Sequence, residues 1–327
     1  MAIIARIAEF LKKIFKYHKK KILLVFISSG LFTLILFPYD DLADVVTIQV
    51  SKLSDNQVFI QFDHLGIDFF PTPGINLENV EVQTPQLPTI KADELTLSPS
   101  IAGLLTFKPG LVARAEGFLE GNVSLKFKSG EKVEEGVYRK DIELRVTQLE
   151  LSHLKELVEI PVKLTGKANL NTSFDVDPTF RDQPQGEIEF NTGEIKLPPS
   201  TIPTYYGPLS LPAFNWTQMM LKGRMVGGKF IIEMAELGGP KDAFNGQLKG
   251  SIDVTMSSRG GGLVPQFGAY ELKLKLNVTK AAQESLSLFL GILDGYKTLT
   301  LTGASYAVRI SGSRFGVNPS FSALAAF

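Results

Sequence analysis

The chain reads as mostly β, an α+β class in which antiparallel strands dominate and helices are few and short. Three observations lead there. Apolar and polar residues alternate with a period of two, clearest in Glu271-Leu-Lys-Leu-Lys-Leu-Asn-Val278, where one face collects the apolar side chains. Glycines interrupt these stretches at Gly117, Gly121, Gly166, Gly186, Gly193, Gly246, Gly250, Gly303 and Gly312, which favours hairpins and meanders over crossovers. Helical periodicity is sparse, with Ile101 to Leu105, Leu151 to Val158 and Gln283 to Leu293 as the candidates.

The strands follow in order. Val123 to Lys128, Asp141 to Thr147, Ala168 to Val176 and Leu248 to Met256 repeat the alternation and are predicted to be wet on one side only. Pro71-Thr-Pro-Gly74 and Pro198-Pro199 mark connections, and Ser257 to Gln266, with Gly260-Gly-Gly262 inside it, reads as a flexible loop. An internal boundary falls near 196–213, where Pro198, Pro199, Pro203, Pro208 and Pro212 cluster. A hinge between two β segments and a long edge-covering loop of one sheet both fit that composition.

At 327 residues the chain is long enough to bury a core unaided, and 44% hydrophobic with 21% charged residues is ordinary globular chemistry. The 34 basic and 34 acidic residues cancel only in sum. Residues 1–21 hold seven basic side chains against Glu9, and 22–37 hold no charge, so the part from 38 onward carries a net −6. That balance disfavours a nucleic-acid partner. The absence of cysteine excludes disulfides and thiolate chemistry.

Residues 22–37, Ile22 to Phe37, form an uncharged apolar run between Lys19-Lys-Lys21 and Pro38-Tyr-Asp-Asp41. As a helix it spans about 24 Å, a little short of a hydrocarbon core, and snorkelling lysines and Tyr39 close the difference. The one-sided lysine cluster puts the amino terminus on the cytoplasmic side. A signal peptide is the rival, but Phe37, Pro38, Tyr39 and Asp40 provide no small-residue cleavage site. Ahead of the run, residues 1–21 have the spacing of a basic amphipathic segment, suited to an anionic leaflet or to a cytoplasmic partner.

The passage His64 to Val80, with Phe70-Pro-Thr-Pro-Gly74 at its centre, resembles the opening of AsmA-like periplasmic domains, as do Lys91 to Leu105 and Gly117-Phe-Leu-Glu-Gly121. Ile160 to Gly166, the acidic segment Asp175 to Asp182, Gly186 to Asn191, Phe244 to Ile252 and Leu301-Thr-Gly303 resemble type II secretion system protein N (GspN). The resemblance implies a curved antiparallel meander sheet or β-groove over residues 38–327, held at the bacterial inner membrane by 22–37 with the bulk of the chain in the periplasm. It further implies a non-catalytic accessory role beside other secretion-system proteins. The alternative that it implies is lipid binding or transfer along the apolar sheet face. These are glycine, proline and apolar positions, which report fold more than activity.

No catalytic, cofactor or metal residues are predicted. His18, His64 and His153 are dispersed and lack second ligands at metal spacing, and no Gly-x-Ser-x-Gly elbow occurs. Gly223-Arg-Met-Val-Gly-Gly-Lys229 approximates a phosphate loop, but Phe230 stands where a hydroxyl is needed and the flanks are strand-like, so a glycine hairpin is expected. Asp175, Asp177, Asp182 and Glu187 lack the spacing of a calcium loop and read as a solvated acidic loop. Trp216 reads as packed rather than as a partner anchor, and the residues before Phe327 lack the alternation of a barrel strand.

Overall fold

The computed structural model describes residues 18–33, 36–54, 56–68, 72–85, 87–101, 103, 110–134, 137–157, 162–204, 207–259, 262–315 and 317–324. The basic segment up to residue 17, most of the Ile101 to Leu105 candidate, the Phe70-Pro71 turn and Phe327 lie outside the described residues. Residues 18–33 are helical. Among the described residues no helix is long and apolar enough to cross a membrane.

Strand accounts for 61% of the described residues, nearly all of it in one 16-stranded antiparallel sheet. Its first half runs β1 (Phe59–Gln61), β2 (His64–Asp68), β3 (Gly74–Thr84), β4 (Leu87–Pro99), β5 (Gly110–Phe118), β6 (Gly121–Glu134), β7 (Val137–Glu150), β8 (Lys167–Val176) and β9 (Gln185–Thr192). The chain then leaves the sheet for β10 (Ile195–Leu197), β11 (Ser200–Thr204), β12 (Gly207–Leu211) and β13 (Phe214–Trp216). It returns as β14 (Met219–Val226), β15 (Lys229–Leu237), β16 (Phe244–Arg259), β17 (Gly262–Thr279), β18 (Lys297–Leu299), β19 (Gly303–Gly312) and β20 (Ser320–Ala323). Each main strand lies beside its sequence neighbour, so the sheet is a meander. Each edge is made of two short strands in line, β1 with β2 along β3, and β18 with β20 along β19.

One connection differs from expectation. Ser257 to Gln266 is not a loop: Ser257 pairs with Val264 and Arg259 with Gly262, so β16 and β17 continue into a long hairpin. Across 196–213 the sheet is continuous, because β9 pairs directly with β14. The excursion between them folds into two small ladders, β10 with β13 and β11 with β12. Ala43–Leu53, with a run of valine, threonine and isoleucine, is a helix, α1. Val46 and Val50, one helical turn apart, pack on the core of the first strands, and that tertiary contact overrides the β propensity.

The other helices are short. Leu151–His153 is a 3₁₀ turn leading into α2 (Leu154–Leu157), which packs against β4. The segment expected at Gln283 to Leu293 begins earlier, as α3 (Lys280–Ser285), because the Thr279 hydroxyl accepts the Ala282 N–H and caps it. It breaks at Leu286 and resumes as α4 (Ser287–Leu290), followed by a 3₁₀ turn over Gly291–Tyr296.

Candidate functional site

Directly opposed residues in an antiparallel sheet share a face, so the register shows what that face presents. One row runs Leu65, Leu77, Leu95, Ala115, Val123, Val146, Leu170 and Phe190, then Leu221, Ala235, Leu248, Leu274 and Val308. A second passes through Leu97, Ala113, Leu125, Leu144, Thr172 and Ile188, and through Gly223, Ile232, Gly250, Leu272 and Ile310. A third joins Leu111, Phe127, Ile142, Phe174, Gly186, Met225, Phe230, Ile252 and Tyr270. Three adjacent apolar rows therefore cross the sheet.

Glycine appears in these rows where an aromatic ring lies flat over the strand. A Cβ at Gly186 would sit 2.5 Å from the Phe174 ring, one at Gly223 2.6 Å from the Phe230 ring, and one at Gly312 2.7 Å from the Tyr270 ring. The rings occupy the space that a side chain would fill, which keeps the face smooth and apolar across the glycine positions.

The face is covered at two places. Beside β8, β17 and β19, the strands β10 and β13 with α3 and α4 close a core of Ala168, Ile195, Leu197, Phe214, Trp216, Val278, Leu286, Leu290, Ala304 and Tyr306. Trp216 stacks on Phe214 and meets Phe244 edge-on, so it is packed in the core as the sequence suggested. Beside β1 to β3, α1 and Tyr39 cover Ile60, Leu65, Leu77 and Val80. The middle of the three rows belongs to neither core. There Leu144, Ile188, Leu221, Leu272 and Ile310 are half-buried, Leu125 is 39% exposed and Leu111 is 47% exposed, while Val146, Met225 and Ile232 are buried.

The opposite face is polar and laced with ion pairs. Glu143 lies 3.1 Å from Lys126 and 3.5 Å from Lys128, and hydrogen bonding from Lys126 holds its carboxyl below the usual range. Arg139 bridges Asp175 at 2.7 Å and Asp182 at 3.1 Å. The acidic loop is thus tied to the sheet at both ends. Its buried member, Asp177, accepts from the Thr179 N–H and hydroxyl and from the Asp182 N–H. Desolvation pushes its pKa up, and those hydrogen bonds outweigh that and leave it lowered. All of its acceptors are used within the loop.

The remaining sequence candidates stay apart. His18 is exposed on the amino-terminal helix, His64 faces Asp40 at 3.5 Å, and His153 lies 3.2 Å from Glu120. Asp40 also accepts the Leu65 N–H at 2.8 Å, the leading cause of its lowered pKa. Gly223 to Lys229 is a hairpin, with Val226 opposite Lys229 and both Gly227 and Gly228 at positive φ, as a two-residue turn requires. Among the described residues, no group of three or more ligating side chains gathers at metal-binding distance. Alternation in the sequence pointed to apolar strand faces one at a time; their alignment into rows depends on register. Comparison with family models, with curated proteins and with solved structures gives no match.

Proposed function

We propose that this chain is an inner-membrane-anchored periplasmic β protein, a non-catalytic accessory component of type II secretion of the GspN kind. The observation that carries the reading is the meander itself, a single antiparallel sheet on which the segments resembling GspN and AsmA-like domains fall in order. His64–Asp68 is β2, Lys91 to Pro99 lies in β4, Gly186 to Asn191 in β9 and Phe244 to Ile252 in β16. The anchor is supported by the amino-terminal helix. Leu23, Leu24, Val25, Phe26 and Ile27 are all more than half exposed, and five consecutive helical residues point in every direction around the axis. A helix apolar on all sides calls for hydrocarbon. Cross-linking and affinity capture of the tagged full chain from native membranes tests the assignment: secretion-system proteins are expected, and their absence overturns it.

A second reading is favoured by the uncovered stretch of the apolar rows, which suits acyl chains of lipid laid across the strands. Three adjacent rows, partly exposed over much of their middle although Val146, Met225 and Ile232 are buried, are more apolar surface than a solvated sheet face ordinarily carries. Mass spectrometry of the purified full chain reads this out. Stoichiometric co-purified phospholipid is expected, and a chain free of lipid after mild-detergent extraction rejects it.

A further inference from the structure

We propose that the polar face carries a phosphate-binding cup formed by Arg114 and Arg145 on either side of Ser124. Arg114 on β5 is opposite Ser124 on β6, and Ser124 is opposite Arg145 on β7, so the three share one row and one face. With strands about 4.8 Å apart, the two arginines leave the backbone about 10 Å from each other, and their long side chains reach over the small serine between them. The cup they border holds about 100 Å³, with Asn122, Thr147 and Glu116 on its wall. At about 30 Å³ per water molecule, that is room for one tetrahedral oxyanion.

Neither arginine of the pair has a carboxylate partner, a state shared among the described residues by Arg314. Arg139 is paired with Asp175, Arg224 with Glu233 and Arg309 with Glu271. Arg114 and Arg145 have no carboxylate within bridging distance among the described residues, although Lys126 and Glu143, two residues along from Ser124 and Arg145, pair with each other. Two unpaired guanidiniums flanking a hydroxyl, with an amide and a second hydroxyl beside them, supply donors for phosphate oxygens around a lining that is otherwise largely carbon and includes Ala115 and Val123. Glu116 stands two residues from Arg114 on the same wall and bridges no cation among the described residues. It accepts an ammonium, so a phosphate ester bearing a nearby amine uses the whole cup, whereas inorganic phosphate uses only the arginines. This inference does not depend on the apolar face.

The test is phosphorus NMR titration of the full chain in detergent at physiological salt, with inorganic phosphate and with phosphoethanolamine as separate probes. Saturable binding of at least one probe is expected, weakened about tenfold or more by Arg114→Gln and by Arg145→Gln. Arg309→Gln, which removes a paired arginine elsewhere on the same face, leaves the titration unchanged. If phosphoethanolamine binds more tightly and Glu116→Gln erases that preference, the site is built for an amine-bearing headgroup. Equal binding of the two probes points to free phosphate. Circular dichroism confirms that each variant keeps its sheet. Absence of saturable binding by either probe, or binding unaltered in both Arg114→Gln and Arg145→Gln, overturns the proposal.

Discussion

A charge placed in the middle of the apolar rows should be tolerated far better than one placed at the covered end. Leu125 and Val308 both belong to these rows, but Leu125 is 39% exposed and Val308 is 0% exposed. Full burial of such a side chain contributes about 1.5–3 kcal/mol, so the three-fifths buried at Leu125 puts the loss in Leu125→Lys at about 1–2 kcal/mol. The lysine stem lies along the sheet while the ammonium stays in water. Val308→Lys has no such exit and costs at least about 4 kcal/mol, the regime of an unpaired buried charge. Chemical unfolding of the detergent-solubilised chain, followed by circular dichroism, reads both. A small midpoint shift for Leu125→Lys and loss of the folded state for Val308→Lys are expected. If the two variants are equally damaging, the middle of the face is a closed core and the argument from half-burial is wrong.

Three further outcomes follow. Asp40, Asp177 and Asp242 all have folded pKa values below the ordinary 3.8, so their contribution is complete above that value and is lost as pH falls through the lowered folded values. Thermal midpoints should hold steady down to about pH 5 and drop below about pH 4; a steady rise on acidification would contradict the sign. Asp242 accepts the Thr217 N–H at 2.8 Å, the Thr217 hydroxyl at 3.0 Å and the Gly239 N–H at 2.7 Å. Asp242→Ala orphans these donors and should cost about 1–3 kcal/mol in an unfolding titration, with Asp242→Asn recovering part of it. Gly223→Val must displace the Phe230 ring 2.6 Å from its new Cβ, an overpacking penalty of about 1–3 kcal/mol, and Phe230→Ala in the same chain should relieve part of the strain.

Some parts of this architecture are written in local pattern. The alternation of Glu271 to Val278 is β17, and Asp141 to Thr147 lies in β7, because one-sided burial forces period two on a strand. Gly227-Gly228 marks its hairpin because few residues other than glycine take positive φ at two successive positions. Local pattern misleads at Ser257 to Gln266, where pairing across the strands extends the ladder into a glycine-rich stretch, and the β-branched run of Ala43–Leu53 is helical with Val46 and Val50 packed on the core of the first strands. Neither outcome depends on nearest neighbours.

The candidate sites divide along the same line. By itself the sequence determined the β class, the lysine-flanked apolar segment and the apolar side of individual strands, all of which follow from residues a few positions apart. Only the tertiary structure decided that these sides align into three rows, that β10, β13 and the helices after Thr279 cover one end and leave the middle half-exposed, and that Arg114 and Arg145 flank Ser124. Register and coverage join residues tens to hundreds of positions apart, and a slip of one residue in any ladder would turn that strand's apolar side to the opposite face.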